Sequence, residues 1–445
     1  DKQVATNHDQ VLDCLLCKVG QWSDVGSQTC TKCVAGKYLA GSKFNASFHS
    51  GISKCITCPS GKYALEGSNK CESCEAGKFI DDNAADASKH VNAASCKTCA
   101  KGKWSNEAQH ACYDCLPGTM LADDATNPIY HDEIEDCEIC SSGKYSEGNA
   151  NHACSNCVKG KHLLDHKNDR LLHDLASVDC KTCKSGEYSP LDGSTVCTSC
   201  VAGKYLSDTG ASGSATSHDA EVDCVICSYG KYSGIKSQSC TNCEVGRYLS
   251  DDVQNEANHD SILDCIICGK AKYAHQEGMQ ACVNCIAGTY LEDDGKDVTL
   301  HDQQSDCKVC NSGQHSGVGS HICTECIGGT YLGDAGVNAA AHDDINKCLI
   351  CPSGKISSVG SQACSDCPSG THLTDAASSA ANHDSITDCN ICQSGKISSN
   401  GATNCVNCDG GRYISDNSET RSLHDEVSDC LICDGGEWSD AGAAI

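Results

Sequence analysis

Aromatic side chains are scarce in this 445-residue sequence, at 4%, and there are only two methionines and six prolines. That excludes a conventional hydrophobic globule, whose core is dominated by large apolar side chains. Basic residues are also in deficit. Thirty-three Lys and Arg stand against 60 Asp and Glu, a formal charge of −27, so nucleic acid and anionic membrane surfaces are excluded as partners. No apolar run reaches the length of a membrane-spanning helix, so no membrane insertion is expected in this segment. The absence of an initiator Met and of a signal peptide suggests a processed chain or an excerpt of a longer one.

What is abundant is cysteine and glycine, 42 of each. Such cysteine density marks a scaffold held by cross-links, which small units need when they cannot bury enough apolar surface. All the cysteines fall in 21 C-x-x-C pairs of two alternating types. First-type pairs begin at Cys14 and recur every 41 to 44 residues to Cys430; second-type pairs run from Cys30 to Cys405. A period of this kind is the signature of a repeat array. The repeats are 14–54, 55–95, 96–136, 137–179, 180–223, 224–264, 265–306, 307–347, 348–388 and 389–429. Residues 1–13 end a preceding connector, and 430–445 begin an eleventh repeat. The next cysteine falls due at position 446, so the array is expected to continue past the C-terminus.

Three residues after each pair stands Gly in 20 of 21 cases, Ala271 being the exception. Two residues further on, one slot holds 15 of the chain's 20 aromatics, including Trp22, Tyr38, Tyr63, Phe79, Trp104 and Tyr205. Gly supplies a turn with positive φ, and the ring is expected to pack on a neighbouring cross-link as a minimal core. The surrounding GKYS and GKYL stretches suit short strands. The expected fold is therefore a small disulfide-rich β class: tandem repeats stacked into an elongated rod, with little or no helix and no large core.

The C-x2-C-x12-C-x2-C spacing also fits zinc. Disulfides are favoured by the cysteine density, by the lack of basic faces, and by the sequon Asn45-Ala46-Ser47, a glycosylation signal of the secretory pathway. Twenty-one equivalent pairs argue against a redox enzyme, which needs one poised pair. Four cysteines allow three connectivities, and a bridge inside each C-x-x-C would strain a tight loop. Crossed 1–3 and 2–4 pairing closes loops of about 16 residues, worth roughly 3 kcal/mol each. It predicts Cys14–Cys30, Cys17–Cys33, Cys55–Cys71, Cys58–Cys74, Cys96–Cys112, Cys99–Cys115, Cys137–Cys154, Cys140–Cys157, Cys180–Cys197 and Cys183–Cys200. It continues with Cys224–Cys240, Cys227–Cys243, Cys265–Cys282, Cys268–Cys285, Cys307–Cys323, Cys310–Cys326, Cys348–Cys364, Cys351–Cys367, Cys389–Cys405 and Cys392–Cys408. The rival pairing joins second-type cysteines to the next first-type pair across the long connector.

The half-unit C-x-x-C-x-x-G-K-aromatic, clearest in CPSGKYALEGSNKCESCEAGKF from Cys58 to Phe79, resembles the ephrin-receptor-like (GCC2/GCC3-type) cysteine-rich repeats. These are similar in style to the tumour-necrosis-factor-receptor and growth-factor-receptor cysteine-rich modules. The resemblance covers every repeat and implies an extracellular, disulfide-bonded array, often part of a large surface or secreted protein. It implies no shared catalytic activity. The family's Pro after the Cys is present only at Pro59, Pro117, Pro352 and Pro368, and the His-bearing long connector is not a general family feature.

Each first-type pair is preceded by a His: His8, His49, His90, His131, His173, His218, His259, His301, His342, His383 and His424. Asp recurs directly before the Cys, as at Asp264, directly after the His, as at Asp260, and eight residues after the second-type pair, as at Asp251. One reading is a hard-cation site in each connector, Ca2+ held by Asp251, His259, Asp260, Asp264 and their equivalents. The other is a hydrogen-bonded knot in which Asp caps turns and the imidazole bridges a carbonyl or carboxylate. No cofactor is then required. The first connector has Gly41 and Ser50 where its siblings have Asp, yet keeps His49 and the same length.

No carboxylate pair, Ser/His set or phosphate loop stands apart from the repeat, so no enzyme is predicted. The expected protein is an extracellular, secreted or cell-surface structural element: a filament, sheath or stalk, glycosylated at Asn45 and on hydroxyl-rich tips. It would self-associate or bind a lateral partner. The alternatives are a receptor or adhesin ectodomain, with deviating connectors around Phe44 and Phe48 and from His162 to Asp174, and an intracellular zinc array.

Overall fold

A computed structural model describes residues 14–42, 44–210, 215–251 and 253–444. The chain divides into two compact units. One runs to Cys200 and includes Tyr205–Val225 and Lys236–Gln238; the other comprises Val201–Lys204, Ile226–Ile235 and Ser239–Ile445. Both are built from the same tandem hairpin, and each contains ten disulfides in sequence.

The repeat at 96–136 illustrates the first unit. Strand Lys103–Trp104 pairs antiparallel with Tyr113–Asp114, the two residues inside the next C-x-x-C, in the register Trp104↔Tyr113 and Lys103↔Asp114. Thr119–Met120 then pairs with Glu138–Ile139, inside the C-x-x-C that follows. In the second unit Arg247–Tyr248 pairs with Ile266–Ile267, and Lys272–Tyr273 with Val283–Asn284. The interior of every such C-x-x-C is thus the return strand of a hairpin. The long connectors add short 3₁₀ turns started by side-chain caps, such as Asp86 accepting from the Ser88 N–H and Asn92 from the Ala94 N–H. Among the described residues the α-helix Ala176–Asp179 is four residues long. Little helix and no large core are what composition led us to expect.

The disulfide connectivity is not the crossed one. Each predicted bridge, from Cys14–Cys30 and Cys17–Cys33 to Cys389–Cys405 and Cys392–Cys408, is replaced by consecutive pairing: Cys17–Cys30, Cys33–Cys55, Cys58–Cys71, Cys74–Cys96 and onward to Cys408–Cys430. Separations alternate between 13 and 22 residues in the regular repeats. The reason lies in the strand. Residues i and i+3 of an extended segment point to opposite faces. The two cysteines of one C-x-x-C therefore face different neighbours, one closing the hairpin behind and the other the hairpin ahead. Chain entropy could not separate the schemes, because loops of 16 and 22 residues differ by only ~0.3 kcal/mol. The long-connector bridges, such as Cys33–Cys55, span the repeat boundaries.

Half-units stack through backbone hydrogen bonds. In the first unit Gly102 donates to the Leu121 carbonyl at 3.0 Å, and Cys115 donates to the Gly102 carbonyl at 2.8 Å. In the second, Gly230 and Cys243 do the same toward Leu249 and Gly230. Gly102 has φ +74°, and a Cβ there would lie 2.1 Å from the Ala150 carbonyl oxygen, so turn geometry and repeat-to-repeat contact both demand Gly. The small cores repeat as well. The Cys33–Cys55 bridge and Leu39 are buried together with Trp22 against them, and Cys74–Cys96 packs with Ile80 and Tyr63. The buried Leu or Ile one residue past the second-type slot is the core residue that attention to the rings overlooked. Its signal, an aliphatic in each GKYL-like stretch, was present in the sequence.

Candidate functional site

The long connectors bring one histidine of each described repeat into the interior. His90, His131, His173, His218, His259, His301, His342, His383 and His424 are fully buried, and His49 nearly so. A 3₁₀ turn ends at the His and holds its backbone. The His carbonyl then accepts from the residue after a first-type slot, as in Ser105 N–H to His131 O at 2.9 Å. The ring reaches back 28 to 31 residues, about two-thirds of a repeat. His131 Nδ1 lies 2.8 Å from the Lys103 carbonyl, and His301 Nδ1 lies 2.7 Å from that of Lys272. Nε2 faces the Asp eight residues upstream: His131 to Asp123 at 3.0 Å, His259 to Asp251 at 3.1 Å, His383 to Asp375 at 2.8 Å. His218 sits 3.3 Å from Asp208.

The Asp carboxylate accepts from several N–H donors nearby in sequence. Asp208 takes the Gly210 N–H, Asp293 the Gly295 and Lys296 N–H groups, and Asp416 the Glu419 and Thr420 N–H groups. These donors hold the carboxyl groups below the usual carboxylate range. For Asp293 and Asp334 the neighbouring imidazole is the largest cause. For Asp208 the Gly210 N–H leads, followed by His218; for Asp416 the Thr420 N–H leads. The ring is thus held between a backbone carbonyl at Nδ1 and a carboxylate at Nε2, as in His131 with Lys103 and Asp123.

Asp251 and Asp264 line one open cleft but are engaged separately. Asp251 is bound to His259, whereas Asp264 accepts from the Ser261 N–H at 2.9 Å and caps a turn. Among the described residues, metal-compatible groups of three occur at Asp132, Glu133 and Asp136, at His162 with Cys183 and Cys197, and at His372 with Cys392 and Cys405. Asp251, His259, Asp260 and Asp264 do not form one. Both nitrogens of the His259 ring already have partners, the Lys231 carbonyl and Asp251. In the acidic group, Asp136 is occupied by the Asp132 and Glu133 N–H groups. In the other two groups the sulfurs are in disulfides. His8 lies outside the described residues.

The first connector makes a different knot. His49 Nδ1 meets the Gln21 carbonyl at 2.7 Å, but Nε2 turns to the Ser42 carbonyl at 3.3 Å. A Cβ on Gly41 would lie 2.7 Å from Phe48 Cβ and 2.9 Å from His49 Nε2, so the place of the sibling carboxylate is already filled. Asn45 is exposed and caps the turn Ala46–His49 through the Ser47 N–H. No helix among the described residues is long and apolar enough to cross a membrane. Twenty disulfides make this a chain built for an oxidising, extracellular or secretory setting. Compared with known proteins, the chain matches no family model and no curated protein.

Proposed function

We propose that this chain is a segment of an extracellular structural protein, an ephrin-receptor-like cysteine-rich array that contributes to a filament, sheath or surface stalk and carries glycans on its connectors. One observation supports this above all: the cross-linked hairpin recurs without interruption, and its buried histidine recurs in every described connector. Selection for a single recognition site would set one repeat apart, whereas selection for a uniform load-bearing element keeps all of them alike. Asn45, exposed on its turn, is the glycan acceptor of this reading. The role is tested by sedimentation and electron microscopy of the secreted chain over a wide concentration range, at low and physiological salt. Ordered self-association or lateral bundling, favoured as salt screens the negative charge, is the expected result. A monodisperse monomer at every concentration, with no fibrous form in the native material, would sink it.

A receptor or adhesin ectodomain is the second reading, favoured by two connectors, the first and the one over 162–174 with the residues after it. Leu164, Leu171, Leu172, Leu175 and Val178 are all exposed there, and Phe44 is 91% exposed in the first connector. That reading predicts a soluble ligand whose binding is lost when those leucines become serine.

A further inference from the structure

Two of the twenty disulfides have a histidine beside their sulfur. In the slot that elsewhere holds Tyr, Phe or Met after a second-type pair, two repeats carry His162 and His372. His162 Nδ1 lies 3.2 Å from Cys197 Sγ, and His372 Nδ1 lies 3.1 Å from Cys405 Sγ. A disulfide sulfur carries no proton, so the hydrogen bond requires Nδ1–H to donate to sulfur. One such group falls in each unit of the molecule, in the bridges Cys183–Cys197 and Cys392–Cys405.

The siblings provide matched controls. In the short bridges Cys140–Cys154 and Cys351–Cys364 the first cysteine is fully buried and the second half-buried, as in the two His-bearing bridges. Access is therefore alike, and the adjacent imidazole is the difference. A disulfide is more easily reduced when its reduced form is stabilised, and an imidazolium beside a cysteine stabilises the thiolate. His315 occupies a first-type slot and has no sulfur contact among the described residues, so a histidine in the slot is not sufficient by itself.

We propose that Cys183–Cys197 and Cys392–Cys405 are thiol-exchange sites, reduced by small dithiols ahead of every other bridge. The dithiol gives up two electrons and two protons and closes its own disulfide. The Cys183–Cys197 bond takes both electrons and breaks; one proton goes to Cys183 and the other to the His162 imidazole, leaving Cys197 as a thiolate paired with an imidazolium. Cys392, Cys405 and His372 react in the same way.

The test uses the folded full chain, with Cys14 and Cys433 first blocked, exposed to limiting dithiothreitol without denaturant. New thiols are trapped with an alkylating agent and mapped by mass. The four named cysteines should be labelled about tenfold sooner than those of the sibling short bridges. His162→Tyr should slow only Cys183–Cys197 to the sibling rate and leave Cys392–Cys405 fast. Tyr is the sibling residue, so the fold should be kept, and His162→Met offers a second route because Met120 fills the same slot. Equal labelling of all short bridges, or an unchanged rate in both variants, would overturn the proposal.

Discussion

The first long connector and the one that ends at His301 start from the same length and the same histidine, and they secure it differently. His301 is held by the Lys272 carbonyl and by Asp293, itself fixed by three backbone N–H groups within four residues. His49 is held by two carbonyls, and Phe48 stands where the carboxylate would reach. What both keep is a ring bridging a strand and the connector. The element common to both connectors is therefore an imidazole engaged at both ring nitrogens, and the carboxylate is one of two partners found at Nε2.

The largest expected effect comes from removing the ring. His301→Ala leaves a cavity and two unpaired acceptors, and we expect its connector to be destabilised by ~2–4 kcal/mol. His49→Ala should lose ~1–2 kcal/mol, because its second hydrogen bond is long. Amide exchange at Ala274, which donates to the His301 carbonyl, and at Ser23, which donates to that of His49, reads each effect locally. Equal losses at both would erase the distinction.

An intermediate effect is expected from forcing the first connector to imitate its siblings. Gly41→Asp drives a Cβ into Phe48 and His49, so it should destabilise by ~1–3 kcal/mol rather than install the missing pair. Adding Phe48→Gly, which removes the clashing Cβ, should recover part of that loss. If Gly41→Asp alone were stabilising, the argument that the space is already filled would be wrong.

The smallest effect is with pH. Asp293, Asp334 and Asp416 have lowered pKa values, so their contribution is fully present above the unfolded carboxyl value of about 4 and disappears as pH falls through the folded value. Amide exchange, corrected for its intrinsic pH dependence, should show these connectors opening below about pH 4, while the first connector, lacking the Asp, stays flat. Parallel opening of all connectors would separate the acid response from the pairs.

Much of this was legible in the residues. The period, the hairpin half-unit, the need for Gly and a hydrogen-bonded role for the His all follow from spacing and side-chain chemistry. The disulfide connectivity was not legible from loop entropy, since the loops are near-equal; strand alternation across Cys30-Thr31-Lys32-Cys33 sends its two cysteines to different neighbours. Which Asp meets the His could not be read from proximity in sequence. Asp260 is adjacent to His259, but the turn carries Asp251, eight residues upstream, to its ring. The filling of Gly41's surroundings by Phe48 is a packing fact with no sequence signal.

The consecutive bridges also set a mechanical limit. A pull applied between Cys17 and Cys430 travels through sulfur and the C-x-x-C segments, because every connector is shorted by a bridge with Cα atoms 5.5–5.9 Å apart. With all secondary structure lost, that covalent path could extend to only about 300 Å, against roughly 1,400 Å for the same residues without cross-links. The connectors are slack that tension cannot reach, so the chain behaves as a tether of nearly fixed maximum length whose surface loops never carry the load.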